Sequence, residues 1–148
     1  MNKLLHQTFA DDHFISLFYA ELTDAKNGLV LYTNCGHNSP ILLRADSNNT
    51  ELLDATSQML GPFPNQTFKT ENILLNKGDI LLLYTDGVTE AMNERGEFYG
   101  DNRLVEKLVE YRKLSPKDIT ENILQDVQTF SQLGIRTDDK TIVAIKRG

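Results

Sequence analysis

The sequence predicts an α+β layered domain, and three observations carry that prediction. Residues 80–84, Ile-Leu-Leu-Leu-Tyr, form an unbroken apolar run. Such a run has no wet face and reads as a strand buried on both sides. The first half of the chain holds short strand-like runs separated by hairpin signals, and the second half carries two amphipathic helical patterns. Strands in succession, followed by helices that cover them, give a sheet-and-helix layered architecture.

Size and charge narrow the classes of function. A chain of 148 residues, 40% hydrophobic and 24% charged, fits one soluble domain with a real core. The formal net charge is −6, the pI about 5.0, and no basic run interrupts the scattered charges. That balance argues against nucleic acid and against an anionic membrane surface as partners. The single Cys35 excludes an internal disulfide and fits a reducing cytosol. No stretch approaches the roughly 20 apolar residues of a membrane span, and no secretory signal is visible, so a cytoplasmic location is expected.

The elements are taken in chain order. Residues 1–9 set Leu4, Leu5 and Phe9 at helical spacing with no capping residue, and read as the end of a longer helix. Alone, so short a helix is marginal, because about 12–15 residues are needed even for good helix formers. Residues 10–13 make an acidic loop. Residues 14–22, aromatic and aliphatic, predict a strand buried on both faces for most of its length. Asn27-Gly28 is a strong hairpin signal that returns the chain as a strand over 29–33. A polar corner over 34–40, a strand over 41–44, a turn over 46–49 and a strand over 51–53 complete an expected antiparallel meander. Gly61, Pro62 and Pro64 mark 54–67 as an irregular connection, and a strand over 68–75 turns through 76–79 into the central run. Leu104, Val105, Leu108 and Val109 mark a helix opening near Asp101. Ser115 as cap, Pro116 at the first helical position and Asp118 near the positive helix end start a second helix. Ile119, Ile123, Val127 and Phe130 line its apolar face, with Gly134 placed to close it. A last strand spans 141–146.

The chemistry resides in two acidic loops. The central strand ends in Thr85-Asp86-Gly87, which delivers a carboxylate to the rim of a packed sheet, and Gly87 lets the backbone approach a neighbour closely. An Asp-Gly pair alone is a turn signal. A second acidic site, Asp138-Asp139, also abuts an apolar strand. Carboxylates at strand ends, with no Cys or His pair beside them, suit a hard cation such as Mg²⁺ or Mn²⁺. Three isolated histidines and one cysteine offer no spaced zinc set. Asp86 and Asp138 form one site only if the fold joins them. His37 reads as a turn-shaping residue, His6 and His13 as solvated, and Cys35 as a small apolar side chain.

Four segments carry a family resemblance. "GDILLLYTDGVTEAMNERGEFYG" and, downstream, "RTDDKTIVAIKR" resemble the SpoIIE/RsbU-type branch of the protein phosphatase 2C-like (PPM) superfamily. "FISLFYAEL" and "GLVLYTNCGHNSPILLR" fit the same family, so the resemblance covers essentially the whole chain. It implies an α-β-β-α sandwich of antiparallel sheets flanked by helices, with residues 1–148 forming a partial domain whose N-terminal part is missing. The implied activity is that of a serine/threonine phosphoprotein phosphatase using two Mn²⁺ or Mg²⁺ ions and a metal-activated water. Asp86 matches the aspartate of the family's Asp-Gly motif, and Asp138 the metal-binding first residue of its terminal motif. Asp139 occupies the neighbouring place. Gly87 supplies the metal-loop backbone, Thr85 shapes that loop, Thr141 lies behind the second carboxylate, and Glu90 is structural. The implied substrate is a phosphoprotein of the STAS-type anti-sigma-factor antagonist class, and an exposed sheet edge predicts a homodimer.

The family motif Gly-Asp-x-x-Gly-His-Gly, whose aspartate bridges both metals, has no match here. Asp11-Asp12-His13 lacks its glycines and lies on the wrong side of the helix. Little or no catalysis is therefore expected from these 148 residues alone. A non-catalytic phosphatase-like binding module stands as the alternative.

Overall fold

The computed structural model describes residues 1–8, 13–24, 26–131 and 138–148. In chain order its elements are α1 (Asn2–Thr8), β1 (Leu17–Asp24), β2 (Leu29–Cys35), β3 (Ile41–Leu43), β4 (Thr50–Leu52), β5 (Glu71–Leu74) and β6 (Ile80–Tyr84). The remainder are α2 (Asp86–Thr89), α3 (Gly100–Tyr111), α4 (Pro116–Phe130) and β7 (Ile142–Lys146). They divide into two compact units, Met1–Ser39 with Leu53–Leu75, and Pro40–Leu52 with Asn76–Gly148.

The first unit holds a three-stranded antiparallel sheet in the order β1-β2-β5. The Asn27-Gly28 signal does close the β1–β2 hairpin. Gly28 adopts φ 75°, and the Asp24 carboxylate accepts the Lys26 and Asn27 N–H groups at 3.0 and 3.2 Å. β1, however, is not buried on both faces. It lies at the sheet edge, where Tyr19 and Leu22 are more than half exposed while Phe18 stacks on Tyr32. An aromatic and aliphatic run reads the same for a buried strand and for an edge strand with one covered face. α1 survives at seven residues through tertiary anchors. Asn2 donates to the Phe63 carbonyl and accepts from the Gly61 N–H, and His6 bonds the Gly61 carbonyl through Nδ1 at 2.7 Å. His6 is thus a half-buried anchor and not the solvated residue expected from its isolation in sequence.

The expected meander does not form as one sheet. β2 pairs with β5, whereas β3 joins a second sheet of order β4-β3-β6-β7. The intervening corner is built around buried Asn34, whose side-chain amide donates to the His37 and Leu53 carbonyls while its oxygen accepts the His37 N–H. Gly36 turns there at φ 70°. Hairpin signals report a local reversal of the chain; lateral pairing is decided by which strands share a core.

In the second unit β6 is interior, as its uninterrupted apolar run requires. Ile41 and Leu43 of β3 pair with Leu82 and Ile80, and β7 pairs along the other edge. Ile80, Leu82 and Tyr84 pack with Leu104 and Leu108 of α3 and with Ile119, Ile123 and Val127 of α4. The Ser115 hydroxyl accepts the Asp118 N–H at 3.2 Å, with Pro116 in the first turn, as the sequence predicts. Ser115→Ala is expected to cost about 1 kcal/mol by urea denaturation, because it strips the cap from a helix whose buried face holds this core. The acidic loop over 10–12 and the helix stop at Gly134 lie outside the described residues.

Candidate metal centre

Register brings the two acidic loops together. Tyr84, the last residue of β6, pairs antiparallel with Ile142, the first of β7. The loop leaving β6 must therefore lie beside the loop entering β7. Thr85 fastens the junction: its N–H donates to the Thr141 carbonyl at 3.1 Å, and its hydroxyl oxygen accepts the Thr141 N–H at 3.0 Å. The same hydroxyl donates to the Asp139 carbonyl at 3.2 Å. Spent on these bonds, the Thr85 side chain makes no cap to α2, although it occupies the capping position.

Gly87 sits in the tightest part of this junction. A Cβ built on it would overlap the carbonyl oxygen of Asp139 and come within 3.3 Å of the Asp138 carbonyl carbon. The close backbone approach expected of Gly87 is thus an approach to the second acidic loop. Thr141 takes part through its N–H, held by Thr85.

Asp86 opens α2 and is exposed, as are Asp138 and Asp139. Asp86 and Asp138 share one local arrangement, each accepting on Oδ1 from the N–H of the following residue, at 2.9 and 2.8 Å. Two residues before Asp86, the Tyr84 hydroxyl donates to Asp101 of α3 at 3.0 Å. Burial, aided by that hydrogen bond, pushes the Tyr84 hydroxyl well above the ordinary phenol range, so it remains a neutral donor. The sequence places Asp101 only at a helix start; no local signal couples it to Tyr84, 17 positions away.

The donors gathered here are all oxygens, on exposed side chains in adjacent loops, which is the chemistry Mg²⁺ and Mn²⁺ prefer. Among the described residues, no group of three or more His, Cys, Asp or Glu side chains is arranged to hold a metal. The two loops therefore fit a hard cation as part of a ligand set. The other candidates are structural. His37 bonds Ser16 through Nδ1 at 3.0 Å and closes the Asn34 corner, while Cys35 is buried, which raises its thiol pKa.

Residues 1–148 match the family described as Stage II sporulation protein E (SpoIIE). The chain belongs to the SpoIIE family. This SpoIIE-family chain is 32% identical to protein IcfG of Synechocystis, across 98% of its own length and 23% of that protein. It is 26% identical to phosphoserine phosphatase RsbU of Bacillus subtilis, across 99% of its length and 43% of the relative. It thus spans less than half of each of these curated relatives. In three dimensions it resembles the SiaA-PP2C domain of Pseudomonas aeruginosa with a TM-score of 0.82 at 15% identity, covering 99% of this chain and 58% of that one. At that identity the likeness establishes the α+β, PPM-like fold.

Proposed function

We propose that this chain supplies the Asp86 and Asp138–Asp139 side of a metal-dependent serine/threonine phosphoprotein phosphatase centre, as part of a larger PPM domain. The observation that carries the reading is the Thr85–Gly87 junction, which brings two carboxylate loops 52 positions apart in sequence to one end of the sheet. Two acidic turns without a shared function have no need of a glycine pressed against the partner loop. Asp86 and Asp138 are the residues that hold Mn²⁺ or Mg²⁺, with Asp139 beside them. When bound, such ions bind phosphate oxygens and lower the pKa of a coordinated water. The chain's own residues fix the loops: Thr85 bridges the two strands, Gly87 admits the Asp139 carbonyl, and the Tyr84–Asp101 bond ties the end of β6 to α3.

The name of the RsbU relative supports phosphoserine as the substrate group. The proposed substrate protein is a phosphorylated regulator of the anti-sigma-factor antagonist class. The half-exposed Val143 and Ile145 of edge strand β7 support self-association.

The test is Mn²⁺-dependent phosphate release from a phosphoserine peptide, with Mn²⁺ binding followed in parallel by electron paramagnetic resonance. Asp86→Asn is expected to weaken Mn²⁺ binding by at least tenfold and to remove whatever Mn²⁺-dependent hydrolysis the parent shows. Mn²⁺ binding that ignores both Asp86→Asn and Asp138→Asn would sink the assignment. The second reading is a phosphatase-like binding module. That reading predicts phosphopeptide binding without hydrolysis, even when Mn²⁺ is bound.

A further inference from the structure

The second unit carries a cavity of about 320 Å³ whose lining is chemically unlike that of the acidic loops. Arg44, Arg112, Lys113 and Lys146 border it, over apolar Leu43 and Ile80. Four of the chain's 15 Lys and Arg residues thus meet at one cavity of a protein with net charge −6. Ile80 begins the strand that Tyr84 ends, so the cavity lies about 13 Å along β6 from the acidic end.

Of these cations, Arg44 is the one with carboxylate partners among the described residues, Glu51 and Asp79. Lys146 directs its ammonium at the carbonyls of Arg112 and Leu114, at 2.7 and 3.0 Å. That caps the end of α3 and leaves one of its three N–H donors over. Arg112 fastens the β3–β4 turn through Nη1, donating to the Ser47 carbonyl and to the Asn48 side-chain oxygen. Its Nη2 and Nε remain without a hydrogen bond among the described residues. Lys113, exposed, makes neither a hydrogen bond nor an ion pair there. Capping and turn-fastening thus explain part of this cluster and leave three carboxylate-free cations around one opening, two of them already held in place. Positioned donors of this kind bind an anion with little further ordering cost.

We infer that this cavity binds the phosphate group of a small phosphate monoester, with Arg112, Lys113 and Lys146 on the phosphate and Leu43 and Ile80 beneath the organic part. A volume near 320 Å³ exceeds what a bare phosphate fills and lies within the range of small-molecule sites. The site is separate from the acidic loops and needs no metal.

Calorimetric titration of the chain with phenyl phosphate in EDTA tests this, because without a metal the acidic loops repel a phosphate. Saturable binding in the low millimolar range or tighter is expected, with inorganic phosphate binding more weakly. Lys113→Glu and Arg112→Gln should each weaken phenyl phosphate by at least tenfold, and Asp86→Asn should leave it unchanged. Lys113 is exposed, so Lys113→Glu decides the matter even if Arg112→Gln loosens the turn it fastens. Non-saturable heats that track ionic strength, or binding unaffected by Lys113→Glu, would overturn the site. Inorganic phosphate binding as tightly as phenyl phosphate would overturn the ester.

Discussion

Gly87→Ala is expected to weaken Mn²⁺ binding by ten- to a hundredfold and to destabilise the fold by about 1–3 kcal/mol. Two effects of opposite sign meet at this position. Gly87 lies inside the short helix α2 and does not adopt positive φ, so on helix propensity alone alanine would stabilise by about 1 kcal/mol. Against that, the new methyl overlaps the carbonyl oxygen of Asp139. That oxygen belongs to the backbone and is held by the Thr85 hydroxyl, so no rotamer change relieves the overlap. The loops must part, and in the proposed centre their close approach is what brings the Asp86 and Asp138 loops to one site. Steric overlap is therefore expected to win. Urea denaturation and Mn²⁺ titration of the variant would check both halves. A Gly87→Ala protein as stable as its parent, with unchanged Mn²⁺ affinity, would show that the junction is not under steric control.

Much of this arrangement is legible in the sequence because it is written in local terms. The β6 run announces an interior strand, Ser115-Pro116 announces the start of α4, and Thr-Asp-Gly after an apolar run announces a carboxylate at a sheet rim. What is not legible is pairing across distance. Asn27-Gly28 and the turn before β4 each predict a hairpin correctly, yet nothing in either says that β2 and β3 belong to different sheets. Burial of β1 fails for a related reason: Phe18, Tyr19 and Leu22 are all apolar, and only the position of the strand at an edge decides which of them are covered. At the site, the sequence supplies Asp86, Gly87 and Asp138–Asp139 but not their contact. That contact arises from one register, Tyr84 opposite Ile142, together with a threonine whose hydroxyl serves the neighbouring strand in place of its own helix.

A large stability effect is expected at Asp79, which the sequence marks only as a turn residue. It is 2% exposed, and its carboxylate accepts the Ala45 N–H at 2.9 Å, the Asn76 N–H at 2.9 Å and Arg44 Nη1 at 2.8 Å. It thereby ties the end of β3 to the turn that enters β6. The neighbouring backbone reinforces the tie, since the Gly78 N–H donates to the Arg147 carbonyl and the Arg147 N–H to the Asp79 carbonyl. Asp79→Ala strips the acceptor from two N–H groups and takes from Arg44 the more deeply buried of its carboxylates, leaving it the exposed Glu51. A loss of about 3–5 kcal/mol is expected, a large part of the 5–15 kcal/mol that holds a typical domain folded. Asp79→Asn separates geometry from charge. The amide keeps the shape and one acceptor but turns its NH₂ toward donors, so it should cost nearly as much as alanine. Arg44→Met should cost clearly less, because Asp79 keeps both of its backbone donors. The three urea midpoints, compared at constant slope, rank these cases. A rank in which Arg44→Met is the most damaging would move the anchoring role from the turn to the ion pair. Should Asp79→Ala instead fall within about 0.5 kcal/mol of the parent, the range of an ordinary surface substitution, the turn into β6 would be held by its backbone bonds alone.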